Sequence, residues 1–306
     1  GAYIPFSGKK FYRPFIAFYR SVFSILPTKR MLKKLDPDIV YLNTSLLFPA
    51  AIAAKMLKKK IVWHLREQIH DGNWGFRKQF IRFLFKRLPD EIIAISKTNA
   101  SVLNIPKAKI VYNSVDLKVF SDSVDVKAFK ARFDVPNARI ISFLGGKILS
   151  KGAPIFIQTA AQITRKYPDL IFIIAGEIRV DNPNSRNKVE REVYFILKKN
   201  PKLIKNLIFT GIIENVAPLL ALSTIVTWPA TVPHFARPIM EAMVMGKPVV
   251  ACNFSSTSEI LTHNQDGLLV APKAEEFEKG ICYLLENKKK ALKMGEYGRV
   301  KAIKLF

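Results

Sequence analysis

Short runs of β-branched and aromatic residues alternate with helical patterns from one end of the chain to the other, and this alternation predicts parallel sheets joined by crossover helices. A first set of strands is read at Ile39-Val40-Tyr41-Leu42, Ile61-Val62-Trp63, Ile92-Ile93-Ala94-Ile95 and Ile110-Val111-Tyr112, with helices over residues 50–57 and 77–87 between them. A second set begins at Ile140-Ile141-Ser142-Phe143-Leu144 and continues at residues 170–175, 207–210, 225–228 and 248–251. Residues 116–137 are charged, hold no core strand and carry Pro136 just before the second sheet. The chain is therefore divided into an N-terminal α/β domain (1–116), a linker (117–137) and a C-terminal α/β domain (138–306), a length that suffices for two packed cores.

Open parallel sheets take their ligands outside the carboxyl ends of the strands, which makes the residue after each strand a candidate. That rule selects His64 with Arg66 and Glu67, Gly145-Gly146, Gly176-Glu177 and residues 229–234. Loops are polar in any protein, so each position alone is equally a structural one.

The segment His234-Phe235-Ala236-Arg237-Pro238-Ile239-Met240-Glu241 opens a short helix with Pro238 in its first turn, and Gly246 ends that helix before a buried strand. A helix start offers unpaired backbone N–H groups and a positive dipole end, which suit a diphosphate. Glu241, one turn in, either accepts hydrogen bonds from ribose hydroxyls or simply stabilises the helix end. The segment Gly145-Gly146-Lys147-Ile148-Leu149-Ser150-Lys151-Gly152 follows the first strand of the second set. Its glycines permit close backbone approach, and the Lys151 ammonium reaches a phosphate as a compact charge. The spacing is neither a Walker loop nor a Gly-x-Gly-x-x-Gly fingerprint, which counts against a nicotinamide enzyme.

The order of these segments resembles glycosyltransferase family 4 (group 1), retaining enzymes of the GT-B architecture, over nearly the whole chain. The resemblance rests on Asp38-Ile39-Val40-Tyr41, Ile95-Ser96, Asn113-Ser114-Val115-Asp116 with Phe120, Gly145-Gly146 with Lys151-Gly152, Ile208-Phe209-Thr210-Gly211, residues 238–250, Glu259-Ile260 and Gly267-Leu268-Leu269-Val270. It implies two Rossmann-like domains facing a central cleft. It also implies a nucleotide-diphosphate sugar as donor with no cofactor, and a saccharide or lipid-linked acceptor. By the same resemblance Lys151, Gly145, Gly146 and Gly176 with the helix start at Arg237, Pro238 and Ile239 hold the diphosphate, and Glu241 holds the ribose. His64, Arg66, Glu67 and His234 are the candidates for the transferred sugar or acceptor. The donor's own phosphate oxygen would assist the acceptor while the departing diphosphate is stabilised.

Two positions depart from the family pattern: Pro233 stands where it has a glutamate, and Gly146 where it has an arginine. Arg237, toward phosphate, and His234, toward sugar hydroxyls, are the expected substitutes. The same departures support a different class of function, a degenerate GT-B module acting as a basic scaffold. The family's opening strand and acceptor loop, and its closing helix, are not found, so both ends are expected to be cut short.

Composition adds the setting. Two isolated cysteines, Cys252 and Cys282, exclude a disulfide scaffold or zinc cluster and point to a reducing, cytoplasmic compartment. No run reads as a membrane span, since the longest uncharged window, residues 215–236, is broken by Pro218, Pro229 and Pro233, and residues 1–5 do not read as a secretory leader. The formal net charge of +25 draws polyanions. No zinc-finger spacing, RNA-binding signature or heptad-linked basic region accompanies it, so nucleic acid is not expected. Phe11, Tyr12, Arg13, Phe15, Phe18, Tyr19 and Arg20, followed by the basic run at 29–34, fit an anionic membrane surface on the inner face of the cell membrane, or else a helix face buried in the first domain.

Overall fold

The computed structural model describes residues 19–69 and 76–306, with Phe76 and Arg77 described by their backbone alone. Phe11, Tyr12, Arg13, Phe15, Phe18 and His70 lie outside the described residues. Two compact units are present, one running to Val111 and one spanning Tyr112–Phe306.

In unit 1, helix α1 (Ile25–Leu35) leads into β1 (Ile39–Leu42), α2 (Phe48–Met56), β2 (Lys60–Leu65), α3 (Phe76–Arg87), β3 (Glu91–Ala94), α4 (Lys97–Val102) and the two-residue β4 (Lys109–Ile110). The strands form a parallel sheet in the order β1-β2-β3-β4. At its edge β1 alternates, exposing Ile39 and Tyr41 and burying Val40 and Leu42, while in the interior β2 buries Ile61, Trp63 and Leu65. The Trp63 indole stacks on Phe85 at 4.2 Å between ring centres, and its Nε1 donates to the Thr44 carbonyl at 2.9 Å, so the largest core side chain is packed and satisfied at once.

Unit 2 contains α5 (Lys127–Phe133), β5 (Ile140–Leu144), α6 (Ala153–Ile163), β6 (Ile171–Ala175), α7 (Lys188–Lys199), β7 (Leu207–Gly211), α8 (Ala217–Leu222), β8 (Ile225–Trp228), α9 (Arg237–Val244), β9 (Val249–Cys252), α10 (Ser255–Ser258), β10 (Leu268–Val270), α11 (Ala274–Glu286) and α12 (Lys288–Leu305). Both β5 and β6 are buried at all five positions, as parallel strands covered by helices on both faces must be. The core is built on Phe143, Phe156 and Phe172, whose rings meet in series at 5.3 and 5.9 Å.

Sheet order decides where a ligand could sit. The strands run β10-β9-β8-β5-β6-β7, all parallel, which is the doubly wound arrangement. From β5 the chain moves outward through β6 to β7, then returns to lay β8 on the opposite side of β5. At that switch point the loops after β5 and β8 diverge and leave a crevice at the start of α9. Strand β10 was not among the strands expected from the pattern, because three residues carry too little periodicity.

Candidate functional site

A cavity of about 860 Å³ opens at the carboxyl edge of the unit 2 sheet. It is lined by the loop after β5 (Gly145, Gly146, Lys147, Ile148, Lys151), the loop after β6 (Gly176, Glu177), the loop after β7 (Ile212, Ile213, Glu214, Asn215, Val216), the turn around Asp116 and Phe120, and Arg237, Pro238 and Glu241 of α9. Segments about 90 residues apart in the chain are thus neighbours because β5 and β8 pair.

The β5 loop is held by backbone bonds that continue the sheet beyond its strands. Gly145 N–H donates to the Ala175 carbonyl at 2.9 Å, Lys147 N–H to the Glu177 carbonyl at 2.7 Å, and Gly176 N–H to the Gly211 carbonyl at 2.8 Å. Across the switch point Thr231 N–H donates to the Ser150 carbonyl at 2.9 Å. A single 3-10 turn, Leu149–Lys151, carries the chain to Gly152 in the left-handed region and so into α6. Neither α6 nor α9 has a side chain capping its first turn, and both carry proline there; Arg237 and Pro238 line the cavity, so it is the uncapped start of α9 that offers it backbone donors and a positive dipole end.

Lys151 is the most informative side chain. Its Nζ lies 5.9 Å from the centre of the Trp228 ring, and among the described residues no carboxylate or carbonyl pairs with it. Burial alone pushes its pKa below the usual lysine value. A cation kept partly buried without a counter-ion costs stability and marks a site built for an anion. Glu241 is 7% exposed, and burial pushes its carboxyl above the usual range against the pull of Arg237, whose Nη2 lies 3.4 Å away. Such a carboxyl accepts or shares hydrogen bonds with hydroxyls at little solvation cost.

Of the residues selected from sequence, Gly145, Gly146, Lys151, Gly176, Arg237, Pro238 and Glu241 are brought to one wall. Ile239 is not: it is buried in the body of α9. His234 packs edge-on against Trp228 at 5.1 Å, with its Nδ1 3.3 Å from the Val232 carbonyl oxygen, and does not line the cavity. Glu177, selected by its place after a strand, also lines the cavity, but its pairing with Lys147 and the 212–216 loop were missed; Glu214 and Asn215, three and four residues past Gly211, were the available signal.

Unit 1 has its own polar edge. The Tyr41 hydroxyl and His64 Nδ1 are 2.6 Å apart, while the buried His64 Nε2 has no hydrogen-bond partner among the described residues. Burial, then the Arg66 charge, lowers the His64 pKa against the pull of Glu67, which favours the uncharged imidazole. Arg66 is exposed. Glu67 Oε1 accepts from Thr44 Oγ1 at 2.7 Å, from Ser45 N–H at 2.6 Å and from Ser45 Oγ, and so clamps the turn after β1. Among the described residues no three of His, Cys, Asp and Glu gather as a metal site requires, and no helix is long and apolar enough to cross a membrane.

Comparison with known proteins gives the family and the fold. The sequence profile of "Glycosyl transferases group 1" matches residues 126–301, and that of "Glycosyltransferase Family 4" matches residues 3–119. Alpha-D-kanosaminyltransferase of Streptomyces kanamyceticus is 25% identical over 168 residues, covering 54% of this chain and 41% of the relative. Lipopolysaccharide core biosynthesis mannosyltransferase LpsB of Rhizobium meliloti is 24% identical over 230 residues, covering 74% and 62%. The chain thus spans roughly half of the length of these curated relatives. Anabaena HepE, solved in complex with UDP, shares the fold with a TM-score of 0.81 at 22% identity, covering 92% of this chain and 78% of that one.

Proposed function

We infer what this protein does from the fact that the chain belongs to the glycosyl transferases group 1 family: it is a retaining glycosyltransferase. It moves a sugar from a nucleoside-diphosphate sugar to a saccharide or lipid-linked acceptor in the synthesis of a surface polysaccharide or glycolipid. The observation that carries this reading is the placement of Lys151 and Glu241, with the start of α9, on one cavity wall at the switch point of the unit 2 sheet.

Diphosphate oxygens accept from the first-turn N–H groups of α9 and from the Lys151 ammonium. Glu241 takes the ribose hydroxyls, and charge developing on the leaving diphosphate meets donors already in position. In unit 1 His64 and the exposed Arg66 are the groups for acceptor or sugar hydroxyls, with Glu67 holding the adjacent turn. Transfer with retention has the acceptor attack on the face the diphosphate leaves, a phosphate oxygen of the donor drawing off the acceptor proton. UDP sugars are the first donors to try, given the UDP held by the similarly folded HepE.

The test is hydrolysis or transfer from a panel of UDP, GDP, ADP and TDP sugars by the full-length protein. Turnover of at least one donor is expected, whereas turnover of none, with intact fold, supports the scaffold instead. Arg237 is exposed and only loosely tied to Glu241, so Arg237→Ala weakens donor binding by about fivefold, and His234→Ala alters turnover through the indole it shares with Lys151. Unchanged affinity and turnover in both, by calorimetry and assay, would remove these two residues from the site.

The protein also binds an anionic membrane surface through the start of unit 1. Tyr19, Phe23 and Leu26 are each at least 60% exposed on successive helical turns, beside Arg20, Arg30, Lys33 and Lys34. Basic residues flanking an exposed apolar stripe match an anionic headgroup boundary. Sedimentation with phosphatidylglycerol vesicles at low salt, weakened by Phe23→Ser, is the expected outcome; no sedimentation at low salt refutes it.

A further inference from the structure

The donor cavity contains a second lysine whose partner the mechanism above does not use. Lys147 Nζ and Glu177 Oε1 are 2.7 Å apart, both side chains about half exposed, and the two residues are also joined through the Lys147 N–H and the Glu177 carbonyl. Sterics decide that the first side chain of this loop to reach the cavity is the one at 147. A Cβ at Gly146, whose φ is +54°, would lie 2.7 Å from the Glu177 carbonyl oxygen and 2.9 Å from the Gly176 carbonyl carbon. One at Gly176 would lie 2.7 Å from the Gly146 nitrogen. The loops after β5 and β6 therefore touch backbone to backbone, and Lys147 is the first residue past that contact whose side chain can leave the turn.

Charge on the wall makes the pair functional rather than decorative. Asp116, Glu177, Glu214 and Glu241 face the cavity together with Lys147, Lys151 and Arg237, so carboxylates compete with a diphosphate for the same cations. A carboxylate has to give way. The Glu241 side chain is 9% exposed and cannot withdraw from Arg237 into water, whereas that of Glu177 is 47% exposed and can. Half-exposed pairs are held weakly, so the exchange of Glu177 for a phosphate costs little.

We propose that Glu177 is an internal competitor of the donor diphosphate: it occupies Lys147 in the free protein and yields it to a phosphate oxygen on binding, so that Lys147 and Lys151 grip the leaving group together. This rests on the nucleoside-diphosphate site proposed above. No bond is made or broken in the exchange; an ion pair is swapped, and the freed carboxylate turns to solvent.

Calorimetric titration of UDP, GDP, CDP and ADP, with the matching nucleosides as controls, tests it on the wild type, Glu177→Gln, Lys147→Met and the double variant. For whichever diphosphate the wild type binds, Glu177→Gln is expected to tighten affinity about fivefold and Lys147→Met to weaken it about tenfold. Nucleoside affinity stays unchanged, and the gain from glutamine vanishes in the Lys147→Met background. If Glu177→Gln leaves diphosphate affinity unchanged or lowers it, or the gain persists without Lys147, the proposal is overturned. Should Lys151→Met weaken diphosphate binding while the other two variants do not, the donor site stands and the competitor role falls. Should the wild type bind no diphosphate, both fall. Thermal melts of each variant, expected close to wild type at these half-exposed positions, show that the affinities compare folded proteins.

Discussion

Lys151→Met lowers turnover by about 100-fold or more, the scale on which a single preorganised donor to a developing negative charge acts, and leaves the protein at least as stable as before. Both halves follow from one observation. The ammonium sits against the Trp228 ring with no counter-ion among the described residues, and burial depresses its pKa. In the free protein that is a cost. Because the folded value lies below the ordinary one near 10.5, the unfolded chain holds this proton more tightly, and stability rises with pH between the two values. At neutral pH the penalty is complete, so replacing the ammonium by an apolar side chain of similar length relieves it. Methionine should therefore raise the melting temperature slightly at pH 7 and remove part of the gain in stability seen toward pH 10. Assays on the parent and variant, with melts at both pH values, check this. Turnover within a few-fold of the parent would take Lys151 out of the site, and a large fall in melting temperature would show that it serves the fold.

Gly152→Ala is expected to disable the site through the backbone. Gly152 has φ +82°, and a Cβ there would stand 1.7 Å from the Pro229 carbonyl oxygen and 2.7 Å from its carbon. Neither neighbour is a flexible side-chain end. Pro229 directly follows β8 and Gly152 opens α6, so the clash falls on the junction that brings the two halves of the cavity together. A left-handed alanine and the forced separation of two loops should cost about 3 kcal/mol or more. That is a drop of roughly 6–12 °C in melting temperature for a unit of this size, accompanied by loss of donor binding. Gly211 is the control: its φ is +67°, but nothing lies within 4 Å of its would-be Cβ. Gly211→Ala pays only the left-handed strain, about 1–2 kcal/mol. Equal losses in the two variants would show that strain alone, not contact with the β8 loop, governs position 152.

The same contacts explain a departure that the sequence could only record. An arginine at 146 would meet the backbone of Gly176 and Glu177 whatever its rotamer, so the glycine there belongs to a turn built for backbone contact. Its loss of a side chain is not by itself evidence of a dead site. Pro233 has no comparable account. His234, beside it, is turned onto Trp228, which its place in the loop after β8 did not reveal.

By itself the sequence determined the elements and their class. Runs such as Ile140-Ile141-Ser142-Phe143-Leu144 and Val249-Val250-Ala251-Cys252 are short, rich in β-branched residues, apolar at nearly every position and alternate with helical patterns, as strands buried on both faces do, so a covered parallel sheet was legible without coordinates. Pro238 and Gly246 marked the ends of α9, because proline fits the first turn of a helix and Gly246 takes a positive φ of 64° at its end. What the tertiary structure alone decided was adjacency. Local periodicity fixes how a strand is buried but not which strand lies beside it, and only the pairing of β5 with β8 turns two distant loops into one wall. The same holds for charge: nothing in residue order says that Lys147 meets Glu177, that Glu67 is engaged by the turn after β1, or that Lys151 faces an indole and pairs with no carboxylate among the described residues. Those are matters of distance between chain segments, and the distance is set by packing.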